Sequence, residues 1–124
     1  MSIKHTLTKS WAGPAGQISK PLAFTGDQEL NFDFVLAASV TNQQRPLAFK
    51  ISLLQSIFIS SDMAITMKTN STSTPGDTKN IAAGDPYMAS GASSPFAVDV
   101  TTVYFTNPSS TTAANVQVRC LTNG

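Results

Sequence analysis

Between Leu53 and Asn70 the chain reads LLQSIFISSDMAITMKTN. A short apolar run, Ile57-Phe58-Ile59, meets the polar turn Ser60-Ser61-Asp62. Met63, Ile65 and Met67 then alternate with Ala64, Thr66 and Lys68. A run, a turn and a period of two predict an antiparallel hairpin. The plan returns near the C-terminus. Val103-Tyr104-Phe105 leads into the polar stretch Thr106–Ala113, after which Val116, Val118 and Cys120 alternate with Asn115, Gln117 and Arg119. That predicts a second hairpin.

The N-terminal third carries the same period. Ile3, His5, Leu7, Lys9 and Trp11 share one side of Ser2–Trp11, which reads as an edge strand or an extended arm. The segment Ala12-Gly13-Pro14-Ala15-Gly16 breaks it. Gln17–Phe24 reads as a second strand, with Ile18, Leu22 and Phe24 on one face and Pro21 confining it to a sheet edge or a bulge. After the turn Thr25-Gly26-Asp27-Gln28, Glu29–Leu36 is the cleanest strand in the chain, with Leu30, Phe32, Phe34 and Leu36 inward. A hairpin around Gly26 is therefore expected.

Ala37–Arg45 reads as a polar loop, and Leu47, Phe49, Ile51 and Leu53 as a strand opened by Pro46. Ser71–Asp77 is a loop, Thr78–Ala83 a short strand around Ile81, Gly84–Met88 a turn into an apolar piece, and Ala89–Ser94 a surface loop. Eight or nine strands with turns between them and no helical period predict an all-β fold. The expected architecture is an antiparallel β-sandwich, with the jelly roll as one form of it. An N-terminal strand or arm over 1–16 would precede a single β-sandwich domain over 17–124.

A chain of 124 residues suits one domain. Charged residues are 12% of it and Ser and Thr about a quarter, leaving little material for exposed helices. The net charge of +1 and the lack of a basic stripe argue against nucleic-acid and anionic-membrane partners. No apolar stretch approaches the roughly 18 residues of a membrane span. The N-terminus has no apolar h-region, so a cytosolic site of folding is expected.

Candidate chemistry is sparse. Cys120 is the single cysteine, so no internal disulfide forms, and its alternating face with Val116 and Val118 marks it as a buried thiol. His5 is the single histidine, so neither a zinc set nor a catalytic triad is legible. Glu29 and Asp33 share a strand face and could be a glycosidase pair, but their alternation against Leu30, Phe32 and Phe34 fits a solvated outer face. Asp62, Asp77 and Asp85 fall at predicted turns, where a loop-built calcium site would leave no local motif. Asn70-Ser71-Thr72 matches a glycosylation sequon. Trp11, Tyr87 and Tyr104 do not share a strand, which weakens a sugar-binding platform. No enzyme activity and no cofactor are expected.

Two longer stretches, Asp62–Pro86 (DMAITMKTNSTSTPGDTKNIAAGDP) and Thr101–Leu121 (TTVYFTNPSSTTAANVQVRCL), carry a family resemblance. They resemble small proteins encoded beside the major capsid protein in tailed-phage structural gene clusters. In those proteins a strand rich in Ile and Thr leads to a KTNS loop, a Gly-Pro turn and a terminal hairpin containing AANV. The Ile3–Trp11 strand and the acidic turn at Gly26-Asp27 fit the same pattern, so the likeness covers nearly the whole chain. It implies a virion structural role on the capsid exterior: a decoration (cement) or related head protein, often trimeric, that bridges major capsid subunits. On that reading Ile3, His5, Leu7 and Trp11 are the expected contacts to the capsid or a sister subunit. The plainer alternative pairs this strand into its own domain's sheet. A tail, baseplate or receptor-binding component and a carbohydrate-binding module are the rival readings.

Overall fold

The computed structural model describes residues 3–93 and 95–123. They form ten strands: β1 (Ile3–Gly13), β2 (Gly16–Gly26), β3 (Gln28–Leu36), β4 (Gln43–Arg45), β5 (Leu54–Ser61), β6 (Ile65–Thr69), β7 (Thr78–Ile81), β8 (Tyr87–Ser90), β9 (Val103–Thr106) and β10 (Ala114–Thr122). All pairings between them are antiparallel. The strands make a two-stranded sheet β1-β2, a first four-stranded sheet β3-β10-β5-β8 and a second four-stranded sheet β4-β9-β6-β7. The all-β expectation holds, with ten strands in place of eight or nine.

One core cluster draws on both four-stranded sheets. Leu36, Ile57, Ile59, Val116, Val118 and Cys120 come from the first, and Ile65, Met67, Ile81, Val103 and Phe105 from the second. Across the two sheets the Phe34 and Phe105 rings lie 5.1 Å apart at 59°. Alternation along β10 buries Ala114, Val116, Val118 and Cys120 while Asn115 and Gln117 face out, as a strand with one apolar face requires.

Both predicted hairpins are absent. β5 hydrogen-bonds to β10 and β8, whereas β6 pairs with β9 and β7, so Ser60-Ser61-Asp62 carries the chain from one sheet to the other. β9 and β10 likewise belong to different sheets. The physical reason lies in the turns. Two- and three-residue hairpin loops place a residue in the left-handed region, and among the described residues the non-glycine ones there are Ser39, Asn42 and Asn70, none in the short connection 62–64, while the connection 107–113 is longer than such a loop. Instead, Ser61 donates its Oγ hydrogen to Met63 O at 2.6 Å, and Asn107 is buried at the start of the second connection.

The hairpin expected around Gly26 is also corrected. β2 pairs with β1 along its length, from Ile3 opposite Gly26 to Gly13 opposite Gly16, and β3 pairs with β10. Gly16, at a φ of 120°, lets the chain reverse after Pro14-Ala15. Pro21 sits opposite Thr8, in a two-stranded sheet whose strands are both edges, where a missing N–H is tolerated. The N-terminal strand pairs within its own chain, with β2 in a separate two-stranded sheet and with neither four-stranded sheet.

The expected strand Leu47–Leu53 is not formed. Leu47 and Phe49 are buried as the alternation implies, but Phe49 makes an isolated bridge with Val100 and Ile51–Leu53 winds into a 3-10 turn. The loop Ala37–Arg45 contains β4, and Ala89–Ser90 of the expected loop Ala89–Ser94 belong to β8. Ser94, like Ser2, lies outside the described residues.

Two cations lie on aromatic rings at the flanks of the sheets. On edge strand β4 the Arg45 guanidinium sits 4.3 Å from the Phe34 ring centroid, and its buried Nε has no hydrogen-bond partner among the described residues. On edge strand β7 the Lys79 ammonium sits 5.4 Å from Tyr87 and 5.2 Å from Phe96. Both contacts suit a cation over the negative face of a ring.

Candidate functional site

The hairpin β1-β2 is amphipathic across its register. One face carries Ile3, His5, Leu7, Lys9 and Trp11, opposite Gly26, Phe24, Leu22, Lys20 and Ile18 in turn. The other face is mostly Thr, Ser and Ala. Most of the hairpin is exposed, and its base meets the rest of the molecule through β2 against β5 and β10 and through His5 and Leu7 of β1.

Two close fits hold the base. Leu121 is fully buried although it alternates with the inward-facing Cys120, and it belongs to no part of the main core cluster. It lies against Gly26, where an added Cβ would also run into the Thr122 carbonyl. From the next residue, Asp27 N donates to that same Thr122 O at 3.0 Å. Leu7 is 7% exposed and lines a small groove with Ser56, Phe58 and Arg119 on the outer face of the first sheet.

The four residues expected as contacts therefore share a face but divide into two groups. Ile3, His5 and Leu7 are partly or fully buried at the base, whereas Trp11 is 51% exposed near the tip. What the sequence reading missed is the opposite strand. Ile18, 55% exposed, stands directly across from Trp11, and Lys20 directly across from Lys9. The signal was present in the Gly13–Gly16 break, which fixes this register once it is read as a tight reversal. The Trp11 indole lies over Gly13, where a Cβ would stand 2.7 Å from the ring.

A row of carboxylates lies on the outer face beside the hairpin. His5 Nε2 donates to Glu29 Oε1 at 2.8 Å, and Asn31 Nδ2 donates to Glu29 Oε2 at 2.7 Å. Arg119 donates to Asp33 Oδ1 at 2.6 Å and to Oδ2 at 3.4 Å. Asn115 donates its backbone N–H to Asp62 Oδ1 and its side-chain amide to Asp62 Oδ2, both at 2.8 Å. The His5 hydrogen bond holds Glu29 below its ordinary value of 4.5, and the Arg119 hydrogen bond holds Asp33 below 3.8. The Asn115 backbone bond does the same for Asp62. Glu29 and Asp33, the conceivable glycosidase pair, thus serve separate partners on a solvated face.

These depressed values set the direction of acid sensitivity. A carboxylate whose folded value is lowered contributes stability above its unfolded value and loses it as pH falls through the folded one. For Asp62 that loss sets in as pH falls toward the unfolded value of 3.8 and continues below it. The expected result is a shallower decline of Tm below that pH in Asp62→Asn than in the parent, read by thermal melts across an acid series. An equal slope would remove Asp62 from the account.

The remaining candidates separate in space. Trp11, Tyr87 and Tyr104 stand on three different sheets. The Cys120 thiol is buried, and burial pushes it up to about 12, far from a reactive thiolate. Asn70 has a left-handed φ of 72°; its amide donates to Asp99 O and accepts from Thr101 N, both at 2.8 Å. Asp77 accepts from Ala97 N, so it and Asp62 serve different loops. Among the described residues no group of three or more His, Cys, Asp or Glu could hold a metal ion. No helix among them is long and apolar enough to cross a membrane. Comparisons with family models, curated proteins and solved structures find no match to this chain.

Proposed function

We propose that this chain is a virion structural protein, a decoration (cement) protein that seats on a capsid exterior and bridges neighbouring major capsid subunits. The observation that carries the reading is the projecting hairpin, anchored at its base and uncovered at its apolar tip. A large aromatic presented on a two-stranded arm is the kind of anchor that dominates protein interfaces. The resemblance of Asp62–Pro86 and Thr101–Leu121 to phage head proteins supplies the partner class.

The fold supports the reading at a coarser level. We infer that the two four-stranded sheets are the layers of a jelly-roll sandwich. Counted from β3, their orders are first-eighth-third-sixth and second-seventh-fourth-fifth, the interleaving of two Greek keys. Jelly rolls occur in viral capsid and lectin domains, and architecture alone does not choose between them. The separation of Trp11, Tyr87 and Tyr104 on three sheets disfavours the lectin reading.

Mechanically, such a protein adds contact area at the joints of a closed shell. Each contact can be weak, because subunits already held in the shell meet it at high effective concentration. A homo-oligomer, with a trimer favoured, would multiply the effect. The hairpin face bearing Ile3, His5, Leu7 and Trp11 is the contact element, joined by Ile18.

The test is stoichiometry. In purified particles this protein is expected in a simple ratio to the major capsid protein. A few copies per particle would place it at a tail or spike, and complete absence would overturn the virion reading.

A further inference from the structure

We propose that the hairpin tip of one copy docks into an acidic groove on the outer face of the first sheet in a second copy. This deepens the function proposed above by naming the hairpin's partner, and it rests on that reading only for its biological setting. The donor surface is the pair Trp11 and Ile18, half exposed, with Lys9 and Lys20 immediately behind them on the same face. Like charges directly opposite one another destabilise a strand pair, so two facing lysines beside an uncovered tryptophan mark a surface suited to an acidic counterpart.

The acceptor surface has the matching pattern. A groove of about 580 Å³ is lined by Asp33, Val35, Asp62 and Gln117 among others, and no lysine or arginine lines it. Val35 is 60% exposed, the most exposed of the large apolar side chains among the described residues. Asp33 and Val35 are two residues apart on the outward face of β3, as Lys9 and Trp11 are on β1. Each pair therefore spans about 7 Å along its strand, and a lysine can meet a carboxylate while the indole covers the valine. Asp33 shares its charge with Arg119, whereas the hydrogen bonds that hold Asp62 come from the neutral Asn115 and from backbone, leaving its negative charge at the groove.

Within one copy the two surfaces do not meet. No residue of β1 or β2 lines the groove, and Trp11 and Ile18 stay exposed. A second copy completes both. Because tip and groove are different patches, each copy gives one and offers the other, a head-to-tail contact that makes a ring where its rotation closes and a filament where it does not.

Disulfide trapping in the full chain tests the geometry. Trp11→Cys and Val35→Cys proteins are mixed and oxidised, with a Ser10→Cys and Val35→Cys mixture as control, since Ser10 lies on the opposite hairpin face. The native Cys120 is buried and does not compete. The expected result is a covalent heterodimer from the first mixture well above the control. Equal yields, or no heterodimer, overturn the proposal. In sedimentation equilibrium the parent is expected above monomer mass, and Trp11→Ala/Ile18→Ala is expected to weaken association at least about tenfold. A monomeric parent, or unchanged association in the variant, also overturns it. Both measurements use purified protein without capsid, so their failure leaves the virion reading standing, and failure of the particle stoichiometry leaves the self-docking test intact.

Discussion

Asn107→Asp is expected to destabilise the protein by about 3 kcal/mol or more at neutral pH. Asn107 is 1% exposed, and its amide nitrogen donates to Leu36 O at 3.1 Å and Thr112 O at 2.9 Å, with a longer contact to Ala37 O. Its Oδ1 accepts from Ser109 N at 3.1 Å, and its own backbone N–H goes to Val40 O at 2.9 Å. One side chain thus ties the end of β3, the loop before β4 and the connection between β9 and β10. The substitution keeps size and the Ser109 acceptor but turns the donor into a carboxylate facing carbonyl oxygens. Burial and those carbonyls raise the new group's folded value above its unfolded one. Its ionised form therefore carries the penalty, which grows as pH rises through the ordinary range near 3.9. Urea unfolding of variant and parent in parallel is expected to show a large difference at neutral pH that narrows in acid. A loss under about 1 kcal/mol would show that the amide is not the tie.

Phe105→Ala carries the other large effect, an expected loss of about 3–5 kcal/mol. Phe105 is fully buried on β9, which pairs with both β4 and β6, and its ring meets Phe34 of the opposite sheet. Truncation leaves a cavity between the sheets, and the β strands around it cannot collapse without breaking ladders. Phe105→Leu retains most of the volume and should cost less than about 1.5 kcal/mol. A double-mutant cycle with Phe34→Leu is expected to show coupling of about 0.5–1.5 kcal/mol, the worth of a tilted ring pair beyond its burial. Both read as shifts of the urea midpoint at constant slope. Additive losses would mean that the two rings pack independently.

The period of two was the legible part of this fold. It placed Leu36, Met67, Val116, Val118 and Cys120 in the core, where each is buried. It could not say which strands pair. The apolar run Ile57-Phe58-Ile59 and the alternating Ile65–Met67 read the same whether they share hydrogen bonds or face one another across a core, and only the turn geometry separates the two cases. Short β4 carries no apolar signal because Gln43, Gln44 and Arg45 pair by backbone at an edge. Leu47–Leu53 shows the converse: Leu47 and Phe49 have the pattern, but Ile51 N turns to Asp99 Oδ1 at 2.9 Å and the ladder stops. At the candidate site, Ile3 to Trp11 was legible as one face. Its completion by Ile18 and Lys20 depended on β2 folding back on β1 rather than forward on β3.

Arg45 and Lys79 have a consequence for how copies can meet. An exposed sheet edge is a template for another strand, and an inward-pointing charge on an edge strand is a known defence against such pairing. β4 and β7 are the two edges of the second sheet, and each turns a cation toward the rings beneath it. A stranger strand added to either edge would have to cover that cation and strip its water. The second sheet is therefore insulated against runaway cross-β growth, even where copies are crowded side by side.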